Sequence, residues 1–136
     1  RHRVPSCTSN QLFNGIAAGY AVVKFYGKIV VAPDAQKTEA YQTNHNLVVS
    51  DGAKAEAKPQ LEIYADDVKC SHGATVGQLN EDEQFYMRSR GIPEDEAQVL
   101  QMISFMAPVL ANITEEAQRE AIGSAVEAAV RASMLG

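Results

Sequence analysis

Cys70 and His72 are the residues of this chain whose types and spacing best suit metal chemistry. They lie in the run LEIYADDVKCSHGATVG, residues 61–77, whose β-branched and aromatic side chains predict an extended strand. Side chains two residues apart on a strand point to the same side, with Cα atoms roughly 7 Å apart. A thiolate and an imidazole so placed can share iron, zinc or copper. The spacing therefore predicts a metal site at Cys70 and His72.

Asp66 falls on the same predicted strand face as Cys70 and His72. Its carboxylate is placed to accept a hydrogen bond from the imidazole and so to orient the ring. Two protein ligands leave a four-coordinate site half empty, and another segment or another chain must complete it. A structural interpretation also stays open, in which Cys70 is a buried apolar residue and His72 satisfies a turn.

The same pair admits two further interpretations. Cys70 with His72 as base has the composition of a nucleophilic pair in a hydrolase or transferase. Against that hypothesis, Asp66 is the only evident orienting residue, and no glycine-rich turn offers an obvious oxyanion site. The other interpretation is a β-solenoid end-piece without any ligand.

Length and composition limit the class of protein. A chain of 136 residues with 46% hydrophobic content predicts one modest core. No run approaches the roughly 20 apolar residues of a membrane span, and the two cysteines are too few for a disulfide scaffold, so we expect a cytoplasmic protein. Residues 80–136 carry ten acidic side chains against four arginines, which argues against a nucleic-acid surface. Because the first residue is Arg1 rather than Met, we expect a piece of a longer protein.

Residues 1–79 contain short β-rich runs separated by turn residues. Two-residue hairpin turns are absent, which predicts parallel pairing between successive runs. The charged, alanine-rich segment 51–58 is predicted to be a loop, and the polar segment 42–46 is predicted to lie between strands. The predicted strand runs are residues 20–25, 28–31, 46–50, 61–65 and 74–79.

Residues 80–136 have helical periodicity and helix-capping residues. Asn80, followed by three acidic residues, predicts a short helix that Gly91 ends. Pro93 opens a second helix, which Pro108 should kink or loosen, and Thr114 is predicted to cap a third. The predicted buried positions are Val99, Met102, Ile103, Met106, Val109, Leu110 and Ile113 in the second helix and Ile122, Ala125, Val126, Ala129 and Val130 in the third.

Several long motifs resemble a known family. The run at 61–77 and the segment FYMRSRGI at 85–92 are similar to the SufD-type scaffold subunits of the SufBCD iron–sulfur cluster assembly machinery. The likeness covers most of residues 1–110. Its upstream motifs are GKIVV at 27–31, AQKTEAYQTN at 35–44 and NLVVS at 46–50.

The resemblance implies a mainly β fold with α elements. Residues 1–79 would form the C-terminal turns of a right-handed parallel β-helix, and residues 80–136 a helical C-terminal domain. It also implies a scaffold that is not an enzyme, which holds a nascent iron–sulfur cluster or iron at an interface with a SufB-type subunit. His72 is the main candidate ligand and Cys70 a weaker one. The cluster is expected to be transient and to require the partner, so we expect none in the isolated chain.

The resemblance implies a second partner, a SufC-type ATPase that docks on the helical domain. Phe85, Tyr86, Arg88 and Arg90 lie on or just after the first predicted helix and would present an aromatic and cationic surface to that ATPase. In the alternative, Phe85 and Tyr86 only pin this helix to the strands. An open strand edge tends to be covered by another copy, so we also expect a homodimer of the isolated chain.

Overall fold

The computed structural model describes residues 1–134 and contains five β-strands followed by three helices. Leu135 and Gly136, the end of the predicted domain 80–136, lie outside the described residues. The strands are β1 Thr8–Ala17, β2 Val22–Val31, β3 Thr38–Val48, β4 Lys54–Ile63 and β5 Val68–Gln78. The helices are α1 Glu81–Ser89, α2 Glu94–Leu110 and α3 Glu116–Ser133.

Consecutive strands alternate between two sheets. One sheet has the order β1-β3-β5, the other contains β2 and β4, and every pairing is parallel. The predicted parallel pairing is therefore confirmed, together with the three C-terminal helices. It joins every second strand rather than successive ones, because the chain crosses to the other sheet at each turn.

Two predicted connecting segments are strands. The prediction of a loop at 51–58 is wrong from Lys54 onward, where β4 begins. From there, polar residues that face outward alternate with small residues that face inward, which is the two-residue period of a strand. Pro59 is tolerated inside β4 because this strand has a partner on only one side.

The polar segment 42–46 lies within β3, where alternate residues are buried rather than solvated. Its amide side chains are held by hydrogen bonds, which composition alone does not reveal.

The turns that precede β1, β3 and β5 are stacked on one another. Ser6 and Lys37, at equivalent positions, both adopt the left-handed conformation, with φ of 58° and 59°. The Ser6 N–H donates to the carbonyl of Gln36, and the Lys37 N–H donates to the carbonyl of Asp67. Each turn is thus bonded to the next, which keeps the strands in register.

The interior consists of two apolar clusters. The first joins strands of both sheets and contains Ile29, Val31, Ala35, Ala40 and Ala65. The second joins the β1-β3-β5 sheet to the helices and contains Leu47, Val99, Met102 and Val130. The helices are therefore docked on the outer side of this sheet, near the C-terminal ends of its strands.

The α1 helix follows the sequence prediction closely. The side chain of Asn80 accepts a hydrogen bond of 3.1 Å from the Glu83 N–H, which is N-cap geometry. Gly91 follows the helix with φ of 88°, a conformation that favours glycine. Both predicted ends of this helix are confirmed.

The other two helices differ in detail from the prediction. The α2 helix continues through Pro108 but ends two residues later, and Val99 and Met102 are buried as predicted. The α3 helix has Glu115, not Thr114, at its N-cap. Val130 is its one buried residue among the described positions, and Ile122 is exposed, because α3 packs on α2 along a narrow strip only. No described helix combines the length and hydropathy needed to cross a bilayer.

Candidate functional site

Cys70 and His72 lie on the same face of β5, as predicted. Ala40 and Gln42, their register partners on β3, are both buried. The Gln42 side chain faces Gly27 of the other sheet, so this face is the inner one, directed toward the second sheet. Parallel partners in register project to the same side. Cys70 and His72 therefore belong to the inner face of a strand that has a neighbour on one side only.

The two side chains differ in their surroundings. Cys70 is half-buried and packs against the cluster that contains Ala40 and Val31. His72 is exposed, and no side-chain hydrogen bond joins it to any residue in the described part of the chain. The accessibility that a ligand role for His72 requires is present, whereas Cys70 is partly committed to packing.

Asp66 is not in the strand that carries Cys70 and His72. The predicted continuous run 61–77 is interrupted by a bend after β4, and Asp66 is exposed in that bend. The N–H of the next residue, Asp67, donates a hydrogen bond of 2.8 Å to the Gln36 side chain and fixes the turn. Strand alternation therefore does not place Asp66 beside His72, and its orienting role stays a prediction.

Within residues 1–134, no three His, Cys, Asp or Glu side chains come together as a metal site. Cys70 and His72 thus bring one thiol and one imidazole to the same strand face. These donor types suit iron and iron–sulfur chemistry, and a metal bound here would need further ligands from elsewhere.

A row of polar side chains that sequence reasoning missed lies beside His72. Gln11, Gln42 and His72 are register partners on β1, β3 and β5 and share the inner face. The Gln42 Nε2 donates a hydrogen bond of 2.9 Å to the Gln11 Oε1. The Gln42 Oε1 is buried and has no hydrogen-bond partner in the described structure. Gly27, across the interior, leaves the space that this carboxamide occupies.

A second inward amide pair lies further along β3. The Asn46 Nδ2 donates to the Asn44 Oδ1 at 2.6 Å, and the Asn44 Nδ2 donates to the Phe13 carbonyl at 3.2 Å. Gly15 makes room for Asn46, since a Cβ there would lie 2.7 Å from the Asn46 Oδ1. The polarity of segment 42–46 could have signalled an inward amide row, but only once β3 was recognised as a strand.

His45 is a second surface histidine with a different environment. It lies on the opposite, outer face of β3, where its Nδ1 is 2.6 Å from the Oγ1 of Thr75 on β5. One ring nitrogen of His45 is therefore committed to a contact within the chain. His45 is a natural control for His72.

The α1 helix presents aromatic residues to solvent. None of its residues is buried, and Phe85 and Tyr86 are 73% and 59% exposed. This exposure argues against the alternative in which these two side chains hold the helix against the strands. The Arg90 guanidinium lies 5.0 Å from the centre of the Tyr86 ring, and Arg88 is 3.7 Å from the Glu94 carboxylate. These aromatic and cationic side chains are thus exposed on and just after one helix, and their role in binding a partner stays a prediction.

Next to that surface, an open groove of about 650 Å³ separates α1 from α2 and from the end of the β1-β3-β5 sheet. Its apolar lining residues are Leu47, Leu79, Tyr86, Met87, Leu100 and Phe105. Asp82 and Glu83 also line the groove and add negative charge to it.

Ion pairs on the surface join neighbouring strands to each other and α2 to α3. The Lys69 ammonium lies 3.0 Å from the Glu39 carboxylate, and the hydrogen bond raises the pKa of Lys69. In the helices, Arg131 donates two hydrogen bonds to Glu96, at 2.8 and 3.0 Å, and these hold the pKa of Glu96 below its ordinary value. All these groups are solvent-exposed, so each pair contributes little stability.

Known proteins are similar in sequence to this chain. The SufD iron–sulfur cluster assembly protein of Escherichia coli is 42% identical over 121 residues, covering 89% of this chain and 29% of that protein. A SufBD family protein of Synechocystis is 47% identical over 109 residues, covering 80% of this chain and 24% of that protein. The SufD protein of Bacillus subtilis is 34% identical over 131 residues, covering 96% of this chain and 27% of that protein. The chain thus spans less than a third of the length of these relatives.

The resemblance inferred from the motifs is confirmed at the level of the family. The family model described as the SufBD core domain of the SUF iron–sulfur cluster assembly system matches residues 1–105, which include all five strands, α1 and most of α2. The chain belongs to the SufBD core family of the SUF system of iron–sulfur cluster assembly.

Proposed function

We propose that the chain is the part of a scaffold subunit that holds a nascent iron–sulfur cluster or iron at an interface with a SufB-type partner. The observation that carries this proposal is the position of His72, exposed on the inner face of the edge strand β5 beside the half-buried Cys70. The SufD names of the Escherichia coli and Bacillus subtilis relatives support it.

The ligand chemistry explains why a partner is needed. Iron–sulfur clusters are usually held by four protein ligands, whereas this strand offers at most two. The cluster is cargo here, held only while a second subunit supplies the missing thiolates. His72 is the main ligand, and Cys70 contributes less because its thiol packs against the apolar cluster between the sheets.

The proposed architecture is the last turns of a right-handed parallel β-helix. Alternation of consecutive strands between two parallel sheets, with stacked turns, supports this assignment. In such a solenoid the last turn ends in an unpaired strand, and β5 occupies that position. A SufB-type subunit would pair with this open end and bring its ligands to His72.

The α1 surface is the proposed docking site of a SufC-type ATPase. Phe85, Tyr86, Arg88 and Arg90 supply exposed aromatic and cationic groups, which are enriched at the centres of protein interfaces. The groove behind α1 extends this surface. The scaffold has no catalysis of its own, works in the cytoplasm, and receives ATP-driven motion through its helices.

Anaerobic reconstitution with iron and sulfide tests the proposal. We expect cluster absorbance when the chain is mixed with a SufB-type subunit and none with either protein omitted. A thiol-reactivity assay on Cys70 runs in parallel. A hyper-reactive Cys70 thiol without cluster formation would favour the hydrolase or transferase interpretation, and neither signal would favour a structural cap. Either result would contradict the scaffold proposal.

A further inference from the structure

We propose that Gln42 is the positioning residue for His72: its buried carbonyl oxygen accepts a hydrogen bond from the ring N–H of His72 that faces away from the cluster. The inference rests on the proposed ligand role of His72 and adds the group that orients it. Gln42 touches neither cluster nor partner and acts only through the imidazole.

Register places the two residues side by side. Gln42 and His72 are partners on the adjacent strands β3 and β5 and project from the same inner face. Neighbouring parallel strands lie about 4.8 Å apart, so the tips of two long side chains at paired positions are within reach of one another. His72 is exposed and carries no side-chain hydrogen bond within the described residues, so its ring is free to rotate toward Gln42.

The Gln42 carboxamide has a fixed orientation and an unused acceptor. Its Nε2 donates to the Gln11 Oε1 at 2.9 Å, which directs the NH₂ group toward β1. Its Oε1 is left without a donor although Gln42 is only 3% exposed. A buried acceptor without a donor is unfavourable, so this oxygen has a free-energy reason to accept an N–H. The ring of His72 is a donor at the paired position.

Gly27 is part of the same arrangement. A Cβ at this position would collide with the Gln42 Oε1 and with the ring of Phe25, so glycine is the residue that admits the carboxamide. Gly15 has the same relation to Asn46, whose register partner on β5 is Val76 rather than a histidine. The chain therefore contains two similar amide pockets, and only one lies beside His72.

The chemical consequence concerns the tautomer of His72. A neutral imidazole carries its proton on one ring nitrogen, and a hydrogen bond from that nitrogen leaves the other one free as a ligand. If Gln42 accepts one ring N–H, the imidazole has one predominant tautomer and one fixed ligating nitrogen before the cluster arrives. This pre-organisation would lower the cost of ordering the ring on binding.

The test is the ¹⁵N NMR signal of the two His72 ring nitrogens in the metal-free chain, at a pH where the ring is neutral. We expect one tautomer to predominate in the wild type and the tautomer ratio to change about fivefold in Gln42→Met, which keeps side-chain length but removes the acceptor. An unchanged ratio in folded Gln42→Met would overturn the proposal.

The two glycines supply the matched comparison. Gly27→Ala displaces the Gln42 carboxamide without removing it, and Gly15→Ala displaces that of Asn46. We expect only Gly27→Ala to change the His72 tautomer ratio. If Gln42→Met does not fold, the comparison of Gly27→Ala with Gly15→Ala tests the proposal in its place. Equal effects of both variants would overturn the proposal. Because the readout needs no cluster, its failure is distinct from failure of the ligand role, which reconstitution with His72→Ala tests.

Discussion

Asn14 and Phe105 form the polar contact between the strands and the helices. The Asn14 Nδ2 on β1 donates a hydrogen bond of 2.8 Å to the backbone carbonyl of Phe105 on α2, across 91 positions of sequence. Phe105 itself packs on the second apolar cluster, beside Leu47 and Met102. The bond therefore fixes the position of α2 on the sheet at the point where apolar packing also occurs.

Substitution of Asn14 should loosen this junction. Asn14→Ala removes the donor to a part-buried carbonyl, and we expect the free energy of unfolding to fall by about 1–3 kcal/mol in chemical denaturation. Asn10→Ala is the control, because Asn10 is an exposed asparagine of the same strand. It should change stability by no more than about 0.5 kcal/mol. Equal losses in the two variants would mean that the Asn14–Phe105 bond is not the cause.

The strands show where sequence reasoning succeeds and where it does not. Hydrophobic β-branched residues identified most of β2, since such side chains fill a pleated, buried face. Most of β3 and β4 was missed, and only their C-terminal ends fell within predicted runs, because their inward positions carry Gln42, Asn44 and small residues such as Ala55 and Ala57. In β3 those positions are stabilised by hydrogen bonds between strands, a tertiary effect that local composition does not encode.

The candidate site, too, was predictable from the sequence only in part. The shared face of Cys70 and His72 follows from a period of two and was predictable. The bend that excludes Asp66 was not, because it depends on the Gln36 side chain bonding to the Asp67 N–H from the preceding turn. The neighbouring Gln42 was equally hidden, since strand register decides which residue lies beside His72.

Acid should weaken the contact between α2 and α3. Arg131 holds the pKa of Glu96 below its ordinary value of 4.5, so this ion pair stabilises the fold above that pH. Its contribution is lost as pH falls through the lowered pKa. We expect Glu96→Gln to lower the thermal unfolding midpoint relative to wild type at pH 7 and to have little effect once the pH is below the lowered pKa of Glu96. The control Glu120→Gln, at an exposed position, should show no such difference; a pH-independent effect of Glu96→Gln would contradict this.

A homodimer of the isolated chain would use the open inner face of β5. Val76 lies there and is 54% exposed, so a dimer interface at this end would bury it. Val76→Lys should then weaken self-association at least about tenfold, measured by light scattering over a range of concentrations. Val22→Lys is the matched control, because Val22 is equally exposed on β2. A wild-type chain that stays monomeric at high concentration would contradict the prediction.

Docking of the SufC-type ATPase should depend on the α1 surface. Arg90→Glu reverses the charge at the C-terminal end of α1 and removes the cation from the Tyr86 ring, so binding should weaken about tenfold by calorimetry. The circular dichroism spectrum should be unchanged, because Arg90 is exposed. Lys54→Glu, an exposed reversal on β4, should bind normally. Parallel loss of binding and helicity in Arg90→Glu would show instead that Arg90 is structural.

The most direct measurement compares two histidines in the complete complex. His72→Ala and His45→Ala each remove one surface imidazole, from the inner face of β5 and the outer face of β3 respectively. We expect His72→Ala to lower the cluster yield after anaerobic reconstitution at least about tenfold, Cys70→Ala to lower it less, and His45→Ala to leave it near wild type. A wild-type cluster yield in His72→Ala, with the complex intact, would contradict the ligand role of His72.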